Sequence, residues 1–174
     1  MPHNNYILKK ITVDDINALL AISKETFIAF FKDFNSDDNL NDYVNKAFKV
    51  EKIYSEITNS NSEFYFALYH NEIVGYLKVN FASAQTEMQD ETSLEIERIY
   101  VVEKFIGKQV GHFLMKTAIE IAQNSNLKYI WLGVWEHNLR AIQFYQKYNF
   151  VTFDTHVFKM GNDDQTDYLM KLKL

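Results

Sequence analysis

The stretch LEIERIYVV (residues 94–102), followed by EKFIGKQVG (103–111) and HFLMKTAIEIAQN (112–124), decides the fold. Residues 94–101 alternate charged and apolar side chains, which predicts a strand. Val110, Phe113, Leu114, Thr117, Ala118 and Ile121 recur at helical spacing, which predicts an amphipathic helix. Residues 129–134, YIWLGV, read as a short buried strand. A strand–helix–strand unit over 94–134 implies a parallel pair with a right-handed crossover. The loop between strand and helix carries Gly107, Lys108 and Gly111. A helix N-terminus leaves backbone N–H groups unpaired, and these stabilise an anion. Gly107 and Gly111 allow close backbone approach, and Lys104 and Lys108 add positive charge. An ordinary strand-to-helix turn has the same composition, so the loop alone does not decide between the two. It is neither a P-loop nor a G-x-G-x-x-G dinucleotide fingerprint.

Outward from this unit, residues 6–11 read as a strand. Thr12 and Asp15 have the spacing of a capping box. Val13, Ile16, Leu19, Leu20, Phe27 and Phe30 give the next helix its apolar stripe. Leu40, Tyr43, Val44, Ala47 and Phe48 suggest a second helix, and Ile53 and Ile57 a short third one. Residues 64–69 and 73–81 form a predicted hairpin around His70, Asn71 and Glu72. Asn138 is an N-cap candidate for a helix carrying Ala141, Ile142, Tyr145 and Tyr148. Residues 150–158 and 166–172 read as two final strands. The order predicts an α/β (α+β) mixed sheet with helices on both faces, as a single domain over 1–174.

The 174 residues are 47% apolar and 24% charged, enough for one buried core. Cysteine is absent, which excludes disulfides, thiolate zinc sites and a thiol nucleophile. The net charge of −5 argues against a general nucleic-acid coat. The histidines at 3, 70, 112, 137 and 156 lack ligand spacing, so no metal is expected. No apolar run approaches the ~18 residues of a membrane span, and the expected location is cytoplasmic.

The loop and helix resemble the acyl-CoA-binding motif of the GNAT (Gcn5-related N-acetyltransferase) superfamily. WLGVWEHN (131–138) and RAIQFYQKYNF (140–150) resemble that family's next strand and its Asn–x–x–Ala–x–x–Phe–Tyr helix. The ending HVFKMG (156–161), DQTD (164–167) and Met170, with AQTE (84–87), resembles a narrower group, the bacterial spermine/spermidine acetyltransferases of the PaiA type. The resemblance covers nearly the whole chain. It implies a mostly antiparallel twisted sheet with a central splayed parallel pair. One departure stands out. The family loop usually reads Gln/Arg-x-x-Gly-x-Gly/Ala, and here Ile106 opens it while Gln109 replaces the middle Gly.

The resemblance implies acetyl-CoA as cosubstrate, bound by Ile106, Gly107, Lys108, Gln109, Val110 and Gly111, with the backbone of Ile99, Tyr100 and Val101 holding the pantetheine arm like an added strand. Asn138 would hydrogen-bond the cofactor as well as cap its helix, and capping alone is the plainer reading. Lys147 would reach a phosphate, or stand as a solvated surface lysine. Tyr145 is implied as the proton donor to the thiolate, and Glu97 as the general base, with Glu95 in reserve and a buried ion pair as the structural alternative for Glu97. The expected partner is a small amine, with a polyamine such as spermidine or spermine in the lead. No nucleic acid or membrane is expected, and a homodimer is left open. Phe27, Phe30, Phe31 and Phe34 would line the acceptor groove, and Asp33, Asp37 or Asp38 would meet a distal ammonium, although a solvated face is the plainer reading of the acidic cluster Asp33, Asp37, Asp38 and Asp42. The alternatives are acetylation of protein N-termini, lysines or another amine, or a non-catalytic acyl-CoA-binding domain.

Overall fold

The computed structural model describes residues 5–34, 36–160 and 163–174. Its strands are β1 (Ile7–Lys10), β2 (Ser62–Tyr69), β3 (Glu72–Phe81), β4 (Ser93–Val101), β5 (Tyr129–Trp135), β6 (Val151–Met160) and β7 (Asp163–Lys173). Its α-helices are α1 (Ile16–Phe31), α2 (Asp37–Ala47), α3 (Val50–Thr58), α4 (Val110–Asn124) and α5 (Leu139–Gln146). The strands form one seven-stranded sheet in the order β1-β2-β3-β4-β5-β7-β6. β4 and β5 are parallel, and every other neighbouring pair is antiparallel. The mixed sheet expected from the sequence is the one observed.

Local chemistry accounts for the connections. His70 and Asn71 both take positive φ, the signature of a two-residue turn that suits the twist of β2 and β3. The Thr12 backbone N–H donates to Asp15 Oδ2 at 3.1 Å and opens the first helical turn, Val13–Asp15. Val13 itself is exposed rather than part of the stripe. α4 buries Val110, Leu114, Met115, Thr117, Ala118 and Ala122. Gly75 faces this helix: a Cβ there would meet Val110 and Leu114, and would lie 2.7 Å from the Tyr100 carbonyl oxygen. The adjacent Tyr76 points the other way, toward Ser23 of α1. Helices therefore cover both faces of the sheet.

Two features of β4 shape the centre. Lys78 pairs with Arg98 and Val79 with Ile96, so Glu97 is an extra residue, a β-bulge. A bulge shifts side-chain parity by one, so Glu95, Glu97, Arg98 and Tyr100 share a face although their spacing is uneven. The β4–β5 register covers only Ser93↔Tyr129, Leu94↔Ile130 and Glu95↔Trp131. Beyond Glu95 the two strands have no paired residues, and a wedge opens between them. Burial follows: β4 is buried from Ser93 to Ile96 and half-buried from Glu97 to Val101.

Candidate active site

The loop after β4 forms one side of the wedge. Residues 106–109 are exposed. Gly107 has φ +81 and Gln109 has φ 72, so both occupy left-handed backbone. Gln109 is the N-cap of α4 and makes no side-chain cap hydrogen bond. The N–H groups of Gln109, Val110, Gly111 and His112 thus have no intrahelical acceptor and face outward at the positive end of the helix dipole. A Cβ on Gly111 would meet only Phe144 and Val101, at 3.6 Å or more. The protein itself does not require glycine there; an approaching ligand would. Lys108 lies over the Phe105 ring at 5.0 Å, and Lys104 pairs with Glu72. Ile106 is exposed.

The conformation makes Gln109 a costly residue at this position. A non-glycine residue in left-handed backbone costs about 1 kcal/mol, and glycine removes that cost. Gln109→Gly is therefore expected to raise stability by up to about 1 kcal/mol and to leave acetyl-CoA affinity equal or tighter. Thermal melting and titration calorimetry check both.

α5 closes the same side. The Asn138 side-chain oxygen accepts from the Ala141 N–H at 3.1 Å, so the capping role is observed. Tyr145 is buried, packs on Phe144 and Phe150, and lies close enough to Tyr100 to perturb it. Burial raises the pKa of the Tyr145 phenol well above its ordinary value, so it keeps its proton at neutral and alkaline pH. Lys147 is exposed at the end of α5. Tyr148 lies just beyond the helix, where its hydroxyl meets His112 Nδ1 at 2.6 Å.

The other side of the wedge holds a cavity of about 200 Å³, walled by Phe27, Tyr43, Phe48, Glu97, Arg98 and Tyr100. Of Phe27, Phe30 and Phe31 on α1 and Phe34 just beyond it, all expected to line a groove, Phe27 is on this wall. Phe30, Phe31 and Phe34 pack around Trp135 instead. Asp33 and Asp38 are exposed. The Asp37 side chain and His3 lie outside the described residues.

Glu97 is tightly held. Its Oε2 accepts from Lys78 Nζ and from Asn80 Nδ2 at 2.6 Å, and its Oε1 pairs with Arg98 Nη2 at 3.0 Å. Glu56 of α3 meets the same two cations, with Lys78 Nζ at 3.0 Å and Arg98 Nη1 at 3.2 Å. Burial works against ionising Glu97, but Arg98 and Lys78 outweigh it and hold the carboxyl below its usual pKa. Glu95 is buried and accepts from Asn80 Nδ2 and from the Thr86 N–H, both at 2.9 Å, and from the Thr86 hydroxyl. Burial raises its pKa.

Sequence reasoning missed the cations and one more carboxylate. Lys78 and Asn80 alternate with apolar residues along β3, a pattern that places polar groups on one face. The adjacent charges Glu97 and Arg98 break the alternation of β4 and mark the bulge. Asp167 of β7 pairs with Trp135 on β5 and His156 on β6. Its Oδ2 lies 3.4 Å from where a Cβ on Gly133 would be, and Gly133 is exposed. His156 Nδ1 meets Glu87 Oε1 at 2.8 Å. Among the described residues, the buried Asp167 Oδ1 has no hydrogen-bond partner. The described residues contain no group of three His, Asp or Glu arranged to hold a metal, and no helix long and apolar enough to cross a membrane.

With this geometry in place, comparison with known proteins is informative. The acetyltransferase (GNAT) family profile matches residues 19–150. The chain is 38% identical, over 95% of both chains, to an uncharacterized N-acetyltransferase of Lactobacillus delbrueckii subsp. lactis. It is 21% identical to the spermidine N(1)-acetyltransferase of Thermoplasma acidophilum, over 95% of this chain and 96% of that one. The fold superimposes on the PaiA N-acetyltransferase of T. acidophilum, solved with coenzyme A, with a TM-score of 0.81 at 19% identity, covering 98% of this chain and 99% of that one.

Proposed function

This chain belongs to the acetyltransferase (GNAT) family, and from that premise we propose that it moves the acetyl group of acetyl-CoA onto a primary amine of a small cationic acceptor, with a polyamine such as spermidine or spermine as the lead. The observation that carries the reading is the wedge between β4 and β5, with an open helix N-terminus on one side and an aromatic cavity on the other. Acetyl-CoA, when bound, supplies an activated acyl group and a thiolate leaving group.

The residues divide the work. The unpaired N–H groups of Gln109, Val110, Gly111 and His112 suit a pyrophosphate, and Gly107, with Ile106 and Lys108, shapes that loop. Beyond Glu95, β4 has no partner on its β5 side, so Ile99, Tyr100 and Val101 are placed to hold an extended pantetheine arm as an added strand. Asn138 and Lys147 cap the two ends of α5 nearby. Tyr145 keeps its proton and can give it to the departing thiolate. Glu97 contributes its charge: it stays ionised on the cavity wall, where nitrogen gains positive charge on attack. Its oxygens already serve three donors, and its lowered pKa disfavours the protonated form, so direct proton removal by Glu97 is weak.

The polyamine assignment is supported by the relative named for spermidine and by the aromatic wall, which suits methylene segments. The carboxylates Glu56 and Glu97 are balanced by Arg98 and Lys78, so the cavity itself carries little excess negative charge. The test is CoA release with spermine, spermidine and a monoamine of matched length, at two salt concentrations. The polyamines are expected to give the higher kcat/KM, through binding remote from the reacting nitrogen, and to lose it as salt screens the exposed Asp33 and Asp38. Equal, salt-independent rates for all three would sink the polyamine assignment and leave the family standing.

A further inference from the structure

A base that removes the acceptor's proton needs a lone pair free of other donors, a place in the wedge and modest resistance to being protonated. Glu97 and Glu95 fail the first condition, since every carboxylate oxygen on them already accepts a hydrogen bond or ion pair. Asp167 differs. It stands in one cross-strand row with Trp135 and His156, on the sheet face that carries α1. Its carboxylate leans over Gly133, which lies two residues past the last β4–β5 pair, where the strands have parted. A Cβ at 133 would touch this carboxylate at ordinary contact distance, and a longer side chain would lie beside it; glycine leaves that side open. Tyr43, on the cavity wall, is within the electrostatic reach of Arg98, Glu97 and Asp167 together.

On the acetyl-transfer reading above, we infer that Asp167 is a catalytic residue: its carboxylate, reaching over Gly133 into the wedge, takes the proton from the acceptor's ammonium. The proton passes to a carboxylate oxygen of Asp167 and frees the nitrogen lone pair. That pair forms the new C–N bond as the carbonyl π electrons move onto oxygen. The C–S bond then breaks with its electron pair on sulfur. Tyr145 protonates the sulfur and recovers a proton from the acylated nitrogen, while Asp167 returns its own proton to solvent. One proton is released per turnover, and every residue ends as it began.

The electrostatics agree. Burial raises the Asp167 carboxyl to about 6, with the charge of His156 opposing the rise and that of Glu87 reinforcing it. The charged and titratable groups facing it are His156 from β6, Glu87 from the loop after β3 and Tyr43 from α2; Gly133 and Trp135 of β5 bring none. A base that must be ionised makes kcat/KM rise with pH through its own pKa, so the wild-type profile is expected to bend near pH 6.

The experiment measures CoA release from acetyl-CoA and spermidine between pH 5 and 9 for wild type, Asp167→Asn and Glu97→Gln. Asp167→Asn is expected to lower kcat by about 10²- to 10⁴-fold at pH 7, to lose the bend, and to recover partly at pH 9 where free amine is more abundant. Its acetyl-CoA affinity by calorimetry should match wild type. The desolvated charge at Asp167 opposes folding increasingly as pH rises above the ordinary 3.8 and in full above about 6, so the Asn variant should melt no lower than wild type at pH 8. Glu97→Gln should keep the bend. An Asp167→Asn enzyme with wild-type kcat and an intact bend would overturn the assignment, and so would a bend that vanishes in Glu97→Gln but not in Asp167→Asn. A wild-type enzyme that turns over an amine separates these outcomes from failure of the acetyltransferase reading; no turnover with any amine would overturn both.

Discussion

Gly111→Asp is expected to weaken acetyl-CoA binding by about 10³-fold, because a carboxylate beside a bound pyrophosphate at a partly exposed site costs several kcal/mol. Gly111 sits one residue into α4, where the N–H groups of the first turn point away from the helix. The space above it is limited only by Phe144 and Val101, at ordinary contact distance, so the fold accepts a side chain there. An acidic residue in the first turn even favours the helix through its dipole. The variant should therefore melt at or above the wild-type temperature while losing the ligand. Titration calorimetry with acetyl-CoA, paired with a melting curve, reads the two effects separately. Unimpaired binding would place the ligand away from this loop.

Tyr145→Phe is expected to lower kcat by about 10²- to 10³-fold with acetyl-CoA affinity little changed, the pattern of a lost proton donor. The substitution keeps the ring, and the ring is what packs on Phe144 and Phe150. The sign of the pH effect follows from burial. The phenol's pKa is raised, so the proton-bearing form persists as pH rises, and wild-type activity should not fall through pH 10 on account of this residue. A purely structural Tyr145 would leave kcat near wild type. Single-turnover and steady-state rates at pH 7 and 9 decide between them.

The elements of the chain were legible because their periodicities are strong. The stripe from Val110 to Ile121 names α4, and Asn138 caps α5 as its side chain requires. The loop chemistry was legible too, since Gly107 and Gly111 stand where strand meets helix. Other features escaped because they depend on partners distant in sequence. The packing of Phe30, Phe31 and Phe34, which close on Trp135, a residue more than a hundred positions away, is one of these. The acidic residues near the end of α1 stood out as a cluster, yet Asp33 and Asp38 are surface groups.

Glu97 shows the division most clearly. Sequence alone placed a carboxylate on β4 just before Ile99, Tyr100 and Val101. Local spacing cannot say that Lys78 of β3, Arg98 at the bulge and Glu56 of α3 converge on it. Those contacts set its protonation state, because the energy of a half-buried charge depends on every neighbouring charge in three dimensions. Asp167 is the converse case. Its stretch, DQTD (164–167), carried a resemblance but no role, and only the pairing of β7 with β5 brings it over Gly133. Sequence by itself determined the order of strands and helices, the glycine-bearing turn into α4 and the place of the tyrosine on α5, since each is written in local spacing. Tertiary structure decided which carboxylates are already paired and which is left open, because that depends on strand register and on the bulge that turns β4.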